Sequence, residues 1–190
     1  MNNLLYLLIL LFGTASYFVG TKEMLQGKYS PSLFSRIIWL LLSINAFAGV
    51  ILTGTSSSMI LALIFLLGNL SICLVSFWKG TRDFGLTEII CTVLLVVSIL
   101  IWVFFQAPLI NLLISLVAHF IGGIPTYKKV WLNPKSESVG FWSLFFIASF
   151  LSLFTTETFD IYKAIFPLYF TIFDGSMFLL AMRKIKGVKI

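Results

Sequence analysis

Apolar runs of about 20 residues, the length a helix needs to cross roughly 30 Å of hydrocarbon, follow one another almost without pause along this chain. The predicted spans are 3–20, 33–53, 59–78, 86–105, 109–127, 139–155 and 161–182. Lipid cannot satisfy loose backbone groups, so such runs must be helical. The two-residue alternation of a barrel strand is missing. The fold class read from this pattern is an all-α membrane protein with seven transmembrane helices. Composition agrees, with 59% hydrophobic and only 11% charged residues. The fourth span is the cleanest, and the sixth sits at the short limit for a crossing.

Charge tests the count independently. Lys22, Lys28, Arg36, Lys79, Arg82, Lys128, Lys129, Lys135 and the cluster Arg183, Lys184, Lys186 and Lys189 all fall on one side of a seven-helix chain. Only Lys163 falls on the other. The positive-inside rule then puts the N-terminus outside and the C-terminus in the cytoplasm, with the plasma (inner) membrane as the expected location. The net charge of +6 reads as a topology signal and a way to meet anionic lipid, not as a nucleic-acid surface.

Several chemistries find no support. No phosphate loop, dinucleotide fingerprint, nucleophile elbow or zinc-ligand spacing occurs, so neither an enzyme nor a cofactor or metal is expected. Met1-Asn2-Asn3 lacks the positive start of a signal peptide. Cys73 and Cys91 lie inside spans, which argues against a disulfide framework. The Asn69-Leu70-Ser71 acceptor sequence is mid-span, beyond reach of glycosylation.

The chain also echoes itself. Residues 116–139 and 10–33 share one design: an apolar helix, glycines, a basic cluster, a short polar turn and a new apolar helix. At an offset of 106 residues, Ser30-Pro31-Ser32 lies over Ser136-Glu137-Ser138. With one residue removed, Leu67-Gly68-Asn69-Leu70-Ser71 lies over Ile172-Phe173-Asp174-Gly175-Ser176. Asn69 and Asp174 are thus equivalent, each midway through its span. A single unmatched helix joins the halves, which gives both three-helix bundles the same orientation. The predicted division is 1–80 for the first bundle, 81–107 for the linker helix and 108–190 for the second bundle with a basic tail.

This 3+1+3 plan resembles the SWEET and PQ-loop superfamily of membrane transporters. The likeness covers the whole chain in topology. In detail it rests on Pro125-Thr126-Tyr127-Lys128-Lys129-Val130-Trp131 followed by Ser136-Glu137-Ser138, which is similar to the PQ-loop pattern. Thr126 stands where the family often has Gln, and Val19 where the first repeat would carry its proline. The resemblance implies alternating access for a small polar solute such as a sugar, with Asn69 and Asp174 as the facing polar pair. It puts Thr53 and Thr158 about where SWEET pockets hold tryptophans. Other members of the superfamily are proton-coupled exporters, and some have become non-transporting receptors or assembly proteins.

Residue chemistry adds to that expectation. Asp174 is the one acidic residue in the middle of a span, where ionisable groups are costly and usually functional. A carboxyl there either exchanges protons with solute movement or hydrogen-bonds a polar solute. His119, the single histidine, is a further candidate for the cavity or for a proton relay. Gly122, Gly123 and Pro125 loosen one stretch of the fifth span and read as a hinge. Asn45 and Asn111 read as interhelical glue. Trp39, Trp131, Trp142 and Trp78 read as interfacial belt residues, and Trp102 as lipid-facing. The partners implied are a small solute and the bilayer, with homo-oligomer formation left open.

Overall fold

Every predicted apolar run is a helix in the computed structural model, which describes residues 2–28, 31–53, 55–82, 84–155 and 161–183. In chain order the helices are α1 (Asn2–Leu25), α2 (Leu33–Thr53), α3 (Ser56–Lys79), α4 (Leu86–Phe105), α5 (Pro108–Leu132), α6 (Val139–Leu153) and α7 (Ile161–Met182), with a 3₁₀ turn at Pro134–Ser136. Among the described residues, six are long and apolar enough to cross a membrane, and α6 is a shorter apolar helix of 15 residues. At 1.5 Å per residue α6 extends only about 22 Å. Leucine, isoleucine, valine and phenylalanine side chains cover the outside of the bundle. These long apolar helices mark the chain as an integral membrane protein.

Local chemistry sets the helix ends. Thr55 Oγ1 accepts from Ser58 N at 3.2 Å to start α3, and Ser138 Oγ accepts from Phe141 N at 3.0 Å to start α6. Both fill the N-cap role of hydroxyl side chains. Gln106, in the left-handed region at φ 51°, stops α4, and Pro108 opens α5. α1 and α5 run further than the apolar pattern predicts, to Leu25 and Leu132. Apolarity ends where hydrocarbon ends, but helical hydrogen bonding has no such limit. Lys22-Glu23 and Lys128-Lys129 therefore carry the helices on into the interface.

Packing follows a simple rule. α3 lies between α1 and α2, and α7 lies between α5 and α6. The halves meet through α1 against α6, α2 against α5, and α3 against α7. Exchanging α1, α2 and α3 for α5, α6 and α7 leaves this contact pattern unchanged. α4 lies outside it, on α5 and α2.

The basic loops gather at one end. Leu33 N donates to Thr81 O at 2.8 Å and Thr81 N donates to Pro31 O at 3.1 Å, which ties the α1–α2 link to the α3–α4 link. Arg183 donates to the Trp131 carbonyl there, joining the ends of α7 and α5. Lys163 lies at the other end, where its carbonyl accepts from Ser58 Oγ at 3.3 Å. The basic residues 184, 186 and 189 lie outside the described residues.

α2, α4 and α5 are pinned together by Asn45. Its amide Nδ2 lies 2.9 Å from Ser98 Oγ, 2.8 Å from Asn111 Oδ1 and 2.7 Å from Ser115 Oγ. The reading of Asn45 and Asn111 as glue thus has a concrete geometry. Asn45→Ala removes the shared donor. It is expected to cost about 0.6–1.7 kcal/mol, seen as a lower thermal midpoint in detergent. An unchanged midpoint would show that the cluster contributes nothing.

Candidate functional site

Asn69 on α3 and Asp174 on α7 are each only 2% exposed, and both line one closed pocket with His119 of α5. The sequence-derived pair is therefore brought together with the histidine. Asn69 Nδ2 donates to the Phe65 carbonyl one turn back, at 3.0 Å. His119 Nδ1 and Tyr169 Oη share a hydrogen bond of 2.8 Å. The imidazole packs among rings, with Trp39 at 4.6 Å and Phe173 at 4.9 Å between centroids. Phe65 and Phe170 meet at 4.6 Å where α3 crosses α7.

Three further residues belong to this pocket that the sequence did not single out. Trp39 and Trp142 are 6% and 3% exposed and line it from α2 and α6, which corrects their reading as belt residues. Trp131 and Trp78 are 60% and 78% exposed, as an interfacial place requires. Arg36, read from sequence only as a topology charge, is 7% exposed and lines the pocket too. Its guanidinium lies 4.9 Å from the centre of the Trp39 ring.

The pocket is rich in unanswered polarity. Trp39 Nε1, Trp142 Nε1, His119 Nε2 and Asp174 Oδ2 are all buried with no hydrogen-bond partner among the described residues. Unpaired polar atoms in a low-dielectric interior are expensive, so proteins seldom leave them. The four side chains that carry them all line this pocket, Trp39 with its Nε1 against Gly122 of α5.

A cleft of about 440 Å³ opens at the basic end, and Arg36 and Trp39 line both this cleft and the pocket beneath it. The pocket itself encloses only about 10 Å³. At the opposite end a hydroxyl cluster joins α3 to α6 and α7. Thr155 Oγ1 donates to Ser57 Oγ, Ser57 Oγ donates to the Ser152 carbonyl at 3.4 Å, and Ser58 Oγ bonds the Lys163 carbonyl.

Contacts recur at the offset found in the sequence. Thr21 Oγ1 and Ser71 Oγ are 3.2 Å apart, and Tyr127 Oη and Ser176 Oγ, their counterparts, are 2.5 Å apart. The Tyr17 ring lies on Gly68, so close that a Cβ there would meet ring atoms at 2.2 Å. The counterpart pair is Gly123 under Phe173, with ring and glycine exchanged and a Cβ distance of 2.7 Å. Gly13 against Ile64 likewise matches His119 against Tyr169.

α5 continues through Gly122, Gly123 and Pro125 without a break. Here the two glycines serve close approach: a Cβ on Gly122 would stand 2.6 Å from Trp39 Nε1. Pro125 lines the cleft. A second intrahelical proline, Pro167 of α7, was not anticipated. Thr53 ends α2, but its side chain, like all of Thr158, lies outside the described residues. Comparison with protein-family models, curated proteins and solved structures finds no match to this chain.

Proposed function

We propose that this chain is a SWEET- and PQ-loop-like carrier that moves a small polar solute across the plasma (inner) membrane by alternating access. In this reading the halves are parallel three-helix repeats, 1–80 and 108–190, joined by α4. The N-terminus is outside and the basic end faces the cytoplasm. The observation that carries the proposal is that four side chains with an unpartnered buried polar atom line one buried pocket, beneath a cleft at the basic end and opposite a hydroxyl cluster at the other. Supporting it are the contacts that recur in the repeat register, 106 residues apart in α1 and α5 and 105 apart in α3 and α7.

A carrier built this way binds solute between α3 and α7 and rocks its halves about their contact. In this reading the cleft at the basic end is the cytoplasmic opening, and the hydroxyl cluster opposite it is the outer closure. Thr55, Ser57, Ser58, Ser152 and Thr155 form the outer gate, whose short polar contacts can exchange for water as it opens. Gly122, Gly123 and Pro125 let α5 adjust beside Trp39 and Phe173.

Facilitated diffusion is the preferred mechanism, because no second mid-span carboxylate accompanies Asp174. The placement of His119 in the same pocket favours one competing version, in which protons move with the solute. Counterflow into proteoliposomes with a panel of sugars, amino acids, nucleosides and organic acids tests the carrier reading. At least one solute is expected to exchange faster than in protein-free liposomes. No exchange of any solute would favour a receptor or assembly protein instead.

A further inference from the structure

We propose that the solute carries a carboxylate next to a hydroxyl or amino donor, with the carboxylate held by Arg36 and the indole N–H groups of Trp39 and Trp142. The inference rests on the carrier reading and names the class of its substrate. It starts from the buried charge. Arg36 is 7% exposed at the junction of cleft and pocket, and a buried guanidinium is costly unless an anion answers it.

The carboxylates lining the cleft are engaged elsewhere, and among the described residues no ion pair joins Arg36 to Asp174, which lines the same pocket. Glu137 is 3.0 Å from Lys129 Nζ. Glu88 accepts from Ser35 Oγ at 2.5 Å and from Gly85 N at 2.9 Å. The ion pairs among the described residues, Lys28 with Glu23 and Lys129 with Glu137, do not include Arg36. The guanidinium carbon lies 4.9 Å from the centre of the Trp39 ring, and its N–H fork has the shape to meet the two oxygens of a carboxylate.

The neighbouring orphans agree in sign. An indole N–H can only donate: the orphaned Trp39 Nε1 lies over Gly122 at the cleft that Arg36 also lines, and Trp142 lines the pocket with Arg36, so the two indoles add donors and no acceptor. Across the pocket the orphan on α7 is an oxygen, Asp174 Oδ2, which suits a hydroxyl or amino group. A neutral sugar answers the indoles and Asp174 but leaves the buried guanidinium without a counter-charge.

Gluconate is the open-chain C1 carboxylate of glucose, which is a neutral ring, and the two make the test. Counterflow moves no net charge when solute exchanges for solute, so charge alone does not stall it. Wild-type protein is expected to exchange gluconate or lactate about tenfold or more faster than glucose. The same anion should raise its thermal midpoint in detergent, which glucose should not. Arg36→Gln should abolish both effects and Arg36→Lys should keep part of them. Glucose exchanged as fast as either anion, or Arg36→Gln with its anion preference intact, overturns the inference and leaves the carrier reading standing. Absence of exchange for the whole panel overturns both. The wild-type comparison needs no variant, so a misfolded Arg36→Gln does not shelter the idea.

Discussion

Asp174→Ala is expected to lower solute exchange by about tenfold or more, while Asp174→Asn largely preserves it. Asp174 is buried with Oδ2 unanswered, so a bound solute is the partner that position lacks. Leaving the solute's buried donor without its partner costs about 1–3 kcal/mol, and each 1.4 kcal/mol is tenfold. Asparagine retains an acceptor oxygen and adds a donor, and it makes the position match Asn69. Facilitated diffusion survives that change. A proton-coupled carrier would instead lose uptake driven by a pH gradient in Asp174→Asn, while keeping solute-for-solute exchange. Wild-type rates in both variants would remove Asp174 from the site.

Gly68→Ala should be among the most damaging single substitutions in the chain. The added carbon would stand 2.2 to 2.3 Å from three atoms of the Tyr17 ring, and the ring itself packs edge-on against Phe141 and Phe145 at 5.2 and 5.4 Å. Overpacking of this kind costs about 1–3 kcal/mol, read as a thermal midpoint several degrees lower. The repeat supplies its own rescue. Tyr17→Gly combined with Gly68→Phe copies the Gly123–Phe173 pair of the other half. It should recover much of the stability that Gly68→Phe loses alone. Strict additivity of the two substitutions would contradict the equivalence of the pairs.

The helices were legible because a bilayer demands long apolar runs, and nothing in a soluble core imposes so strict a length. The central pair was legible because Asn69 and Asp174 are polar where polarity is costly, and because the repeat aligns them. Arg36, Trp39 and Trp142 were not, since an arginine and tryptophans near the start of a span look like interface anchors. What distinguishes them is the direction in which α2 and α6 present their first turns, and that depends on packing between helices far apart in sequence. A signal was nevertheless present. Arg36, Trp39 and Ser43 stand at the same spacing as Trp142, Phe145 and Ser149, at the offset of 106, and all six are buried. Carrying the repeat register through α2 and α6, and not only through α3 and α7, would have found the pocket-lining face. The extent of α1 and α5 was misjudged for a different reason, because hydropathy measures contact with lipid and not helicity.

The central claim is that the pocket around Asn69 and Asp174 opens in turn to each side of the membrane. Labelling Asn69→Cys with a membrane-impermeant thiol reagent, in a background with Cys73 and Cys91 replaced, tests it most directly. Oriented proteoliposomes should show reaction from the cytoplasmic side and, separately, from the outside, with saturating solute slowing both. Reaction from one side only, under every condition, or from neither, would contradict an alternating-access carrier.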